Sequence, residues 1–370
     1  MYMKEITKKT NTPEIRPLGE IITERLEAKD MKQSELCDLT GIAKPLLNDV
    51  VKGRRNLTAE MAVLIESAIG LSADAMLSVQ MACELEKAYN DANIISRIQA
   101  MSDWDEIKEK VSVPVLKKLG FGKSNVTDKV ATIMRLFHVS GIDEFKKIAS
   151  EEQKMTYFKK SEKLNVDRVA LFTWKYYCMD VASETPMRTS FKKESINKLA
   201  QEVKSVITEN NNTYERVKEV FMESGIRLLY IDKIGQVPVD GMSFWLDANP
   251  TIIITRRLQN IDNFAFSVMH ELGHVKMHLK ENSSALVNID GVELDKMEAE
   301  ANKYARDIFV PQNVWDSFME DIADCNPYAV HVPISKLATR LKVNPQILYG
   351  RYMHDTGLYR LRRVFPTVIK

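Results

Sequence analysis

Cysteine is scarce in this chain, and its few thiols are far apart. The 370 residues include four cysteines that form no C-x-x-C pair: Cys37, Cys83, Cys178 and Cys325. This spacing excludes a disulfide framework and a thiolate zinc knuckle. It favours buried free thiols in a reducing compartment.

Long apolar runs and an excess of one charge are also missing. No run approaches the roughly 20 apolar residues that span a bilayer, and the first residues lack the apolar core of a signal peptide. We therefore expect a cytoplasmic protein with no membrane partner. The formal net charge is only +1, so any affinity for nucleic acid must come from a local basic patch.

Helical spacing of apolar residues dominates the first half of the chain, from Leu18 to about residue 195. Later, residues 225–232 predict a strand, residues 250–255 predict a second, β-branched strand, and residues 241–246 predict a third. We therefore predict a multi-domain, mainly α fold whose C-terminal part is α+β. The expected divisions are a flexible arm (1–16), a helical bundle (17–90), a helical spacer domain (91–195), an α+β domain (196–325) and C-terminal helices (326–370).

Residues 31–51 have the layout of a helix-turn-helix. Gly41 supplies the left-handed turn between two short helices. We expect Ser34 to cap the first helix, and Leu36 and Leu39 to face the core.

The second helix, about Lys44 to Val51, would present its N-terminal residues to base edges in a major groove. Pro45 lies in its first turn, where proline is tolerated. The candidate DNA-contacting residues are Lys44, Asn48, Lys52, Arg54 and Arg55. A plain helical bundle with a solvated Lys/Arg loop remains the alternative, because this region is not basic overall.

Residues 18–85 resemble the Cro/Xre-type helix-turn-helix family, and more narrowly its HigA-type antitoxin branch. The motifs that carry the resemblance are Gln33-Ser-Glu-Leu, Thr40-Gly-Ile, Lys52-Gly-Arg-Arg, Leu57-Thr-Ala-Glu-Met-Ala and the stretch from Gly70 to Gln80. The resemblance implies a homodimer that binds a double-stranded DNA operator and pairs with a toxin.

The strongest chemical signal is the H-E-x-x-H motif of Val268-Met-His-Glu-Leu-Gly-His-Val. On a helix, His270 and His274 lie one turn apart on one face, so both imidazoles can reach a single ion. Glu271 projects beside them, where it can accept a proton from water. The alternative is a helix with two ordinary exposed histidines.

A hydrolytic zinc site needs a third protein ligand and one open position. Glu298 and Asn302 are four residues apart on the next predicted helix. We expect Glu298 to ligate and Asn302 to orient a histidine ring through its other nitrogen. Glu300 lies about 200° further round that helix, and His278 lies two turns beyond His270, so both are weaker candidates.

Residues 203–311 resemble the ImmA/IrrE family of zinc peptidases. The resemblance rests on Ser224-Gly-Ile-Arg-Leu, Asp240-Gly-Met-Ser-Phe, Ile252-Ile-Ile-Thr-Arg, Phe264-Ala-Phe, the His-Glu-Leu-Gly-His core and Glu298-Ala-Glu-Ala-Asn-Lys-Tyr-Ala. It implies a small gluzincin-like α+β domain that binds Zn²⁺. It also implies His270, His274 and Glu298 as ligands and Glu271 as the general base.

The sequence assigns no group to stabilise an oxyanion. The chemically suitable candidates are Tyr304, Tyr328, His331 and His354, and each is equally compatible with an ordinary core or surface role.

Together these patterns predict a DNA-binding transcriptional regulator, the antitoxin of a toxin–antitoxin system, with a fused zinc-dependent metallopeptidase that cleaves a regulator or partner protein. The alternative is a zinc-binding, non-catalytic sensor or toxin-binding module on a DNA-binding repressor. A third hypothesis gives the effector-binding role to the helical middle, residues 91–195.

Overall fold

The structure is a computed structural model of the chain, which forms two compact units, Met1–Ser102 and Asp103–Lys370. It describes residues 16–370 apart from 119–121, 123, 158–166, 235, 236, 238, 257–259 and 282–290. The predicted flexible arm lies outside the described residues except for Arg16. Among the helices described, none has the length and apolar character needed to cross a membrane.

The described part of the first unit is helical. Its helices are α1 (Leu18–Glu27), α2 (Gln33–Thr40), α3 (Lys44–Val51), α4 (Ala59–Ile69), α5 (Ala73–Asn90) and the first part of α6 (Ala92–Ile107). Thr58 and Ser72 cap α4 and α5, each accepting a backbone N–H with its hydroxyl oxygen. Gly41 and Gly70 end α2 and α4 with φ of 70° and 67°, a conformation that glycine adopts without strain.

One apolar core joins α1 to α5, and it includes Ile22, Leu36, Leu47 and Ile65. The first and third helices approach closely at Gly19, because a methyl group there would collide with the backbone carbonyl of Val51. This packing fixes α3 against the rest of the unit.

Two local expectations for this unit are wrong. Ser34 does not cap α2, because the helix begins at Gln33 and the backbone N–H of Lys32 instead donates to the Glu35 carboxylate at 2.9 Å. Leu39 is 65% exposed. The buried residues of α2 are Leu36 and Cys37. Leu39 lies about 200° round the helix from Cys37.

The second unit contains a three-stranded sheet and the remaining helices. They are α7 (Val113–Lys118), α8 (Val126–Leu136), α9 (Ile142–Tyr157), α10 (Arg168–Ser183), α11 (Ile196–Glu209), α12 (Thr213–Glu223), β1 (Arg227–Ile231), β2 (Gly241–Leu246), β3 (Asn249–Thr255), α13 (Ile261–Met277), α14 (Gly291–Phe309), α15 (Gln312–Asp321), α16 (His331–Leu341) and α17 (Pro345–Thr356). The strand order is β1–β3–β2, with β3 parallel to β1 and antiparallel to β2. Strand β2 therefore lies at an edge.

Both faces of the sheet are covered, and the side chains of β1 and β3 alternate between two cores. Leu228, Ile252 and Ile254 pack in the core that contains α11 and α13. Leu229 and Ile253 point to the other face, where α10 packs. The unbroken apolar run of β3 thus belongs to a strand that is buried on both sides.

The structure confirms the predicted fold class, multi-domain and mainly α with a small sheet in the C-terminal part. All three predicted strands are present. The division of the chain at residues 90, 195 and 325 stays a prediction.

Candidate metal centre

Helix α13 carries both histidines of the H-E-x-x-H motif. It is anchored in the core of the second unit by the buried side chains of Phe264, Val268 and Leu272. Its opposite side faces α14, and Gly273 makes this approach possible. A methyl group at Gly273 would lie 3.1 Å from Cδ1 of Tyr304 and 3.3 Å from Cα of Ala301, closer than most neighbours tolerate.

Three side chains from these two helices converge on one point. The Nε2 atoms of His270 and His274 are 3.0 Å apart. Glu298 places Oε2 3.2 Å from Nε2 of His270 and Oε1 3.3 Å from Nε2 of His274. In the described part of the chain, this is the one group of three such side chains with ligand atoms within 4.8 Å of one another. We refer to His270, His274 and Glu298 as the triad.

The triad fits a tetrahedral divalent cation. Two imidazole nitrogens and a carboxylate this close to one another can all bind one cation. On zinc with bonds of about 2.0–2.1 Å, tetrahedral ligand atoms lie about 3.3–3.4 Å apart, close to the separations in the triad. Asn302 Oδ1 is 2.9 Å from Nδ1 of His270, and a carbonyl oxygen there holds the ring proton on Nδ1. The Nε2 lone pair of His270 is then free to face an ion.

Glu271 lies between the triad and the edge strand, and it is 6% exposed. Gly241 of β2 makes room for it, since a methyl group at that position would lie 2.6 Å from Oε1 of Glu271. Burial raises the pKa of the Glu271 carboxyl, and the charges of His270 and His274 oppose that rise. The carboxylate is therefore held beside the triad without being part of it.

His270 and Glu298 of the triad line a cavity of about 270 Å³, together with Glu271, Gly241 and Phe266. We call it the triad cavity. Phe266 in addition borders a second, mainly apolar cavity of about 300 Å³. That cavity is lined by α13, α14 and α17, and Asn302 is among its residues. Two cavities thus adjoin Phe266, one beside the edge strand β2 and one among α13, α14 and α17.

The two weaker ligand candidates do not join the triad. His278 places Nδ1 3.0 Å from Nδ1 of His274, on the side of that ring away from the centre. Glu300 places Oε2 3.0 Å from Nε2 of His278.

No oxyanion-stabilising group is identified among the four candidates, because none of them lines the triad cavity as the described residues define it. Burial raises the pKa of Tyr304 to about 12, and its ring packs beneath Lys276. Tyr328 is 78% exposed. His331 bonds the carbonyl of Tyr328, and His354 bonds Asp355.

The candidate DNA-contacting residues lie on and just after α3. Lys44, Lys52, Arg54 and Arg55 are exposed, and Asn48 is half-buried. Pro45 is in the first turn of the helix, as expected. Arg54 binds the carboxylate of Asp49 through Nε at 3.0 Å and Nη2 at 2.7 Å.

Comparison with known families matches both parts of the chain. The helix-turn-helix model matches residues 22–76, and the model of the IrrE N-terminal-like domain matches residues 221–352. The chain joins a helix-turn-helix domain to an IrrE N-terminal-like domain.

The chain is also similar to curated relatives. They are the proteins named "Uncharacterized HTH-type transcriptional regulator YbaQ" from Escherichia coli K12 and Escherichia coli O6:H1. Each is 28% identical over 106 residues, which cover 28% of this chain and 89% of the relative. No solved structure matches the chain.

The IrrE N-terminal-like domain contains the whole triad and extends beyond the resemblance seen in the sequence, which ended at residue 311. The extension includes α15, α16 and α17, and Leu348 and Tyr349 of α17 are part of the same core as α13. Gly350 packs against Asp262, where a methyl group would lie 2.6 Å from Oδ2. Gly241, Gly273 and Gly350 each allow a close approach between elements, a packing role that the sequence motifs do not indicate.

Proposed function

We propose that this protein is a DNA-binding transcriptional regulator whose IrrE N-terminal-like domain is a zinc-dependent peptidase. The observation that carries the peptidase half is the convergence of two imidazole nitrogens and one carboxylate within 3.0–3.3 Å, with a second, buried acid, Glu271, beside them. An ordinary salt bridge does not need two histidines one turn apart.

His270, His274 and Glu298 would hold the ion. Zn²⁺ with three protein ligands supplies a Lewis acid that polarises a carbonyl and lowers the pKa of water to about 7. Glu271 accepts the proton of the water that attacks the scissile carbonyl, and it returns that proton to the leaving amine.

The edge strand next to Glu271 supplies a binding surface for an extended peptide. β2 pairs with β3 on one side only in the described sheet, and peptides commonly bind by adding a strand to such an edge. A peptide bound there passes over the triad cavity. The apolar cavity beyond Phe266 is then placed to accept an apolar side chain of the substrate.

The helix-turn-helix half supports binding to a double-stranded operator in the cytoplasm. Helix-turn-helix proteins bind two half-sites as dimers, and we infer a homodimer here. Met81, Leu85 and Tyr89 are exposed at intervals of four residues along α5, an apolar stripe that a second copy would cover. The antitoxin role rests on the HigA-type resemblance of residues 18–85, and its toxin would be the protein partner.

We expect the purified full-length chain to bind one zinc ion, because the triad offers one set of three ligands. Elemental analysis should find one zinc per chain, and a chelator should remove it reversibly. His354→Ala is the matched control, since that histidine is exposed and bonded to Asp355. A chain that takes up no zinc when the metal is supplied would contradict the peptidase proposal.

We expect the double variant Lys52→Ala plus Arg55→Ala to weaken operator binding similarly for all sequences. In the described part of the chain neither side chain makes an ion pair, so both are free to contact phosphates. Each chain of the proposed homodimer would lose two phosphate contacts, four per operator, which should lower the slope of log affinity against log salt by roughly 4.

This experiment uses a duplex from upstream of the chain's own gene and a random duplex of equal length. Lys29→Ala, an exposed cation between α1 and α2, is the control and should leave the slope unchanged. Two chains per operator duplex would support the homodimer. An unchanged salt slope in the double variant would exclude this loop as the phosphate-binding surface.

None of the four candidate oxyanion donors lines the triad cavity, and this observation favours an alternative in which the domain is not catalytic. In it the domain binds zinc but hydrolyses nothing, and it serves as a sensor or toxin-binding module on the repressor. Both alternatives keep the triad, and they differ in what Glu271 does.

A further inference from the structure

His278 and Glu300 form a hydrogen-bonded chain that ends on a triad ligand. Nδ1 of His274 is 3.0 Å from Nδ1 of His278, and Nε2 of His278 is 3.0 Å from Oε2 of Glu300. The His278 side chain is only 6% exposed, whereas that of Glu300 is 44% exposed. This series of hydrogen bonds therefore runs from the triad ligand His274 through the buried ring of His278 to the exposed carboxylate of Glu300.

The carboxylate at the outer end decides where each proton lies. An ionised carboxylate only accepts hydrogen bonds, so Nε2 of His278 carries a proton and donates it to Glu300. With one proton on each ring, Nδ1 of His278 accepts the hydrogen bond between the two rings and Nδ1 of His274 donates it. The Nε2 lone pair of His274 is consequently left facing His270 and Glu298.

The backbone holds His278 in place for this contact. His278 directly follows α13, and its N–H donates to the carbonyl of His274 at 2.9 Å. The two rings are 5.1 Å apart between centroids. Because Glu300 is on α14, the same helix that provides Glu298, the two helices that supply the ligands are linked a second time.

We propose that His278 and Glu300 are positioning residues that fix the tautomer and ring orientation of His274, as Asn302 does for His270. This inference rests on the proposed zinc site. Outer partners of metal-bound histidines typically contribute 10–100-fold to metal affinity. The sequence pattern that made His278 and Glu300 rival ligands thus has a different explanation.

The test measures zinc affinity of the full-length chain by competition with a chromophoric chelator. His278→Ala and Glu300→Ala should each weaken zinc binding, by roughly 10–100-fold for the first. Glu300→Gln should retain affinity near that of the wild type, because its amide oxygen still accepts from Nε2 of His278. Lys303→Ala, an exposed change on the same helix, is the control.

Two further measurements separate positioning from stability. The cobalt-substituted chain should show an altered visible spectrum in Glu300→Ala and not in Glu300→Gln, since only the first frees the His274 ring. Thermal unfolding of the zinc-free chains should be similar for the two Glu300 variants. A purely structural role would shift unfolding and leave affinity and spectrum unchanged.

Unchanged zinc affinity in both alanine variants would overturn the proposal, as would an equal loss in Glu300→Gln and Glu300→Ala. Failure of the wild-type chain to bind zinc would instead refute the proposed metal site itself.

Discussion

Replacing Glu271 by glutamine is expected to reduce peptide hydrolysis by roughly 10²–10⁴-fold, the usual contribution of a positioned general base. Zinc content should not change, because Glu271 is outside the triad. The side chain is buried beside Gly241, and glutamine has the same shape, so the fold should be retained. The amide cannot accept the proton of the attacking water, and this is the step that fails.

The measurement uses a library of natural peptides, in which mass spectrometry detects new N-termini after incubation with zinc-loaded chain. Glu219→Gln makes the same chemical change on the exposed face of α12 and should cleave as the wild type does. Equal cleavage by Glu271→Gln would remove Glu271 from the mechanism. No cleavage by the wild type on any peptide would favour the non-catalytic sensor.

The parts of the site that lie within one helix were predictable from the sequence. The pitch of an α-helix places residues four apart on one face, and the structure has His270 beside His274 and both Glu298 and Asn302 beside His270. The spacing also placed Glu300 off the face of Glu298. These inferences need only local geometry, and local geometry is what a single sequence specifies.

Contacts between helices and strands that are far apart in the sequence were harder to predict. The sequence did not show that β2 passes beside Glu271, which makes Gly241 necessary. Nor did it show that His278, at the end of α13, turns its ring back onto His274. Leu39 was misplaced for a related reason, because an eight-residue helix with several apolar residues has more than one possible buried face. Each of these depends on packing across the fold.

The second large effect is expected for Glu298→Ala, which removes the carboxylate of the triad. Zinc affinity should fall by more than the roughly 10–100-fold expected for loss of an outer partner, because two imidazoles alone hold the ion weakly. Hydrolysis should be lost with the metal. The Glu298 side chain is 46% exposed, and alanine favours helix, so α14 should still form.

Measuring zinc and operator binding on the same Glu298→Ala sample also separates the two functional hypotheses. If the helix-turn-helix works independently of a peptidase, operator affinity should match that of Lys303→Ala. If the domain is a zinc sensor, operator affinity should change when the metal is lost. Retained zinc affinity would mean that another carboxylate completes the site. Glu271 lines the same cavity. Loss of zinc binding in the double variant Glu271→Gln plus Glu298→Ala would then identify Glu271 as the third ligand, and the assignment of Glu298 would be wrong.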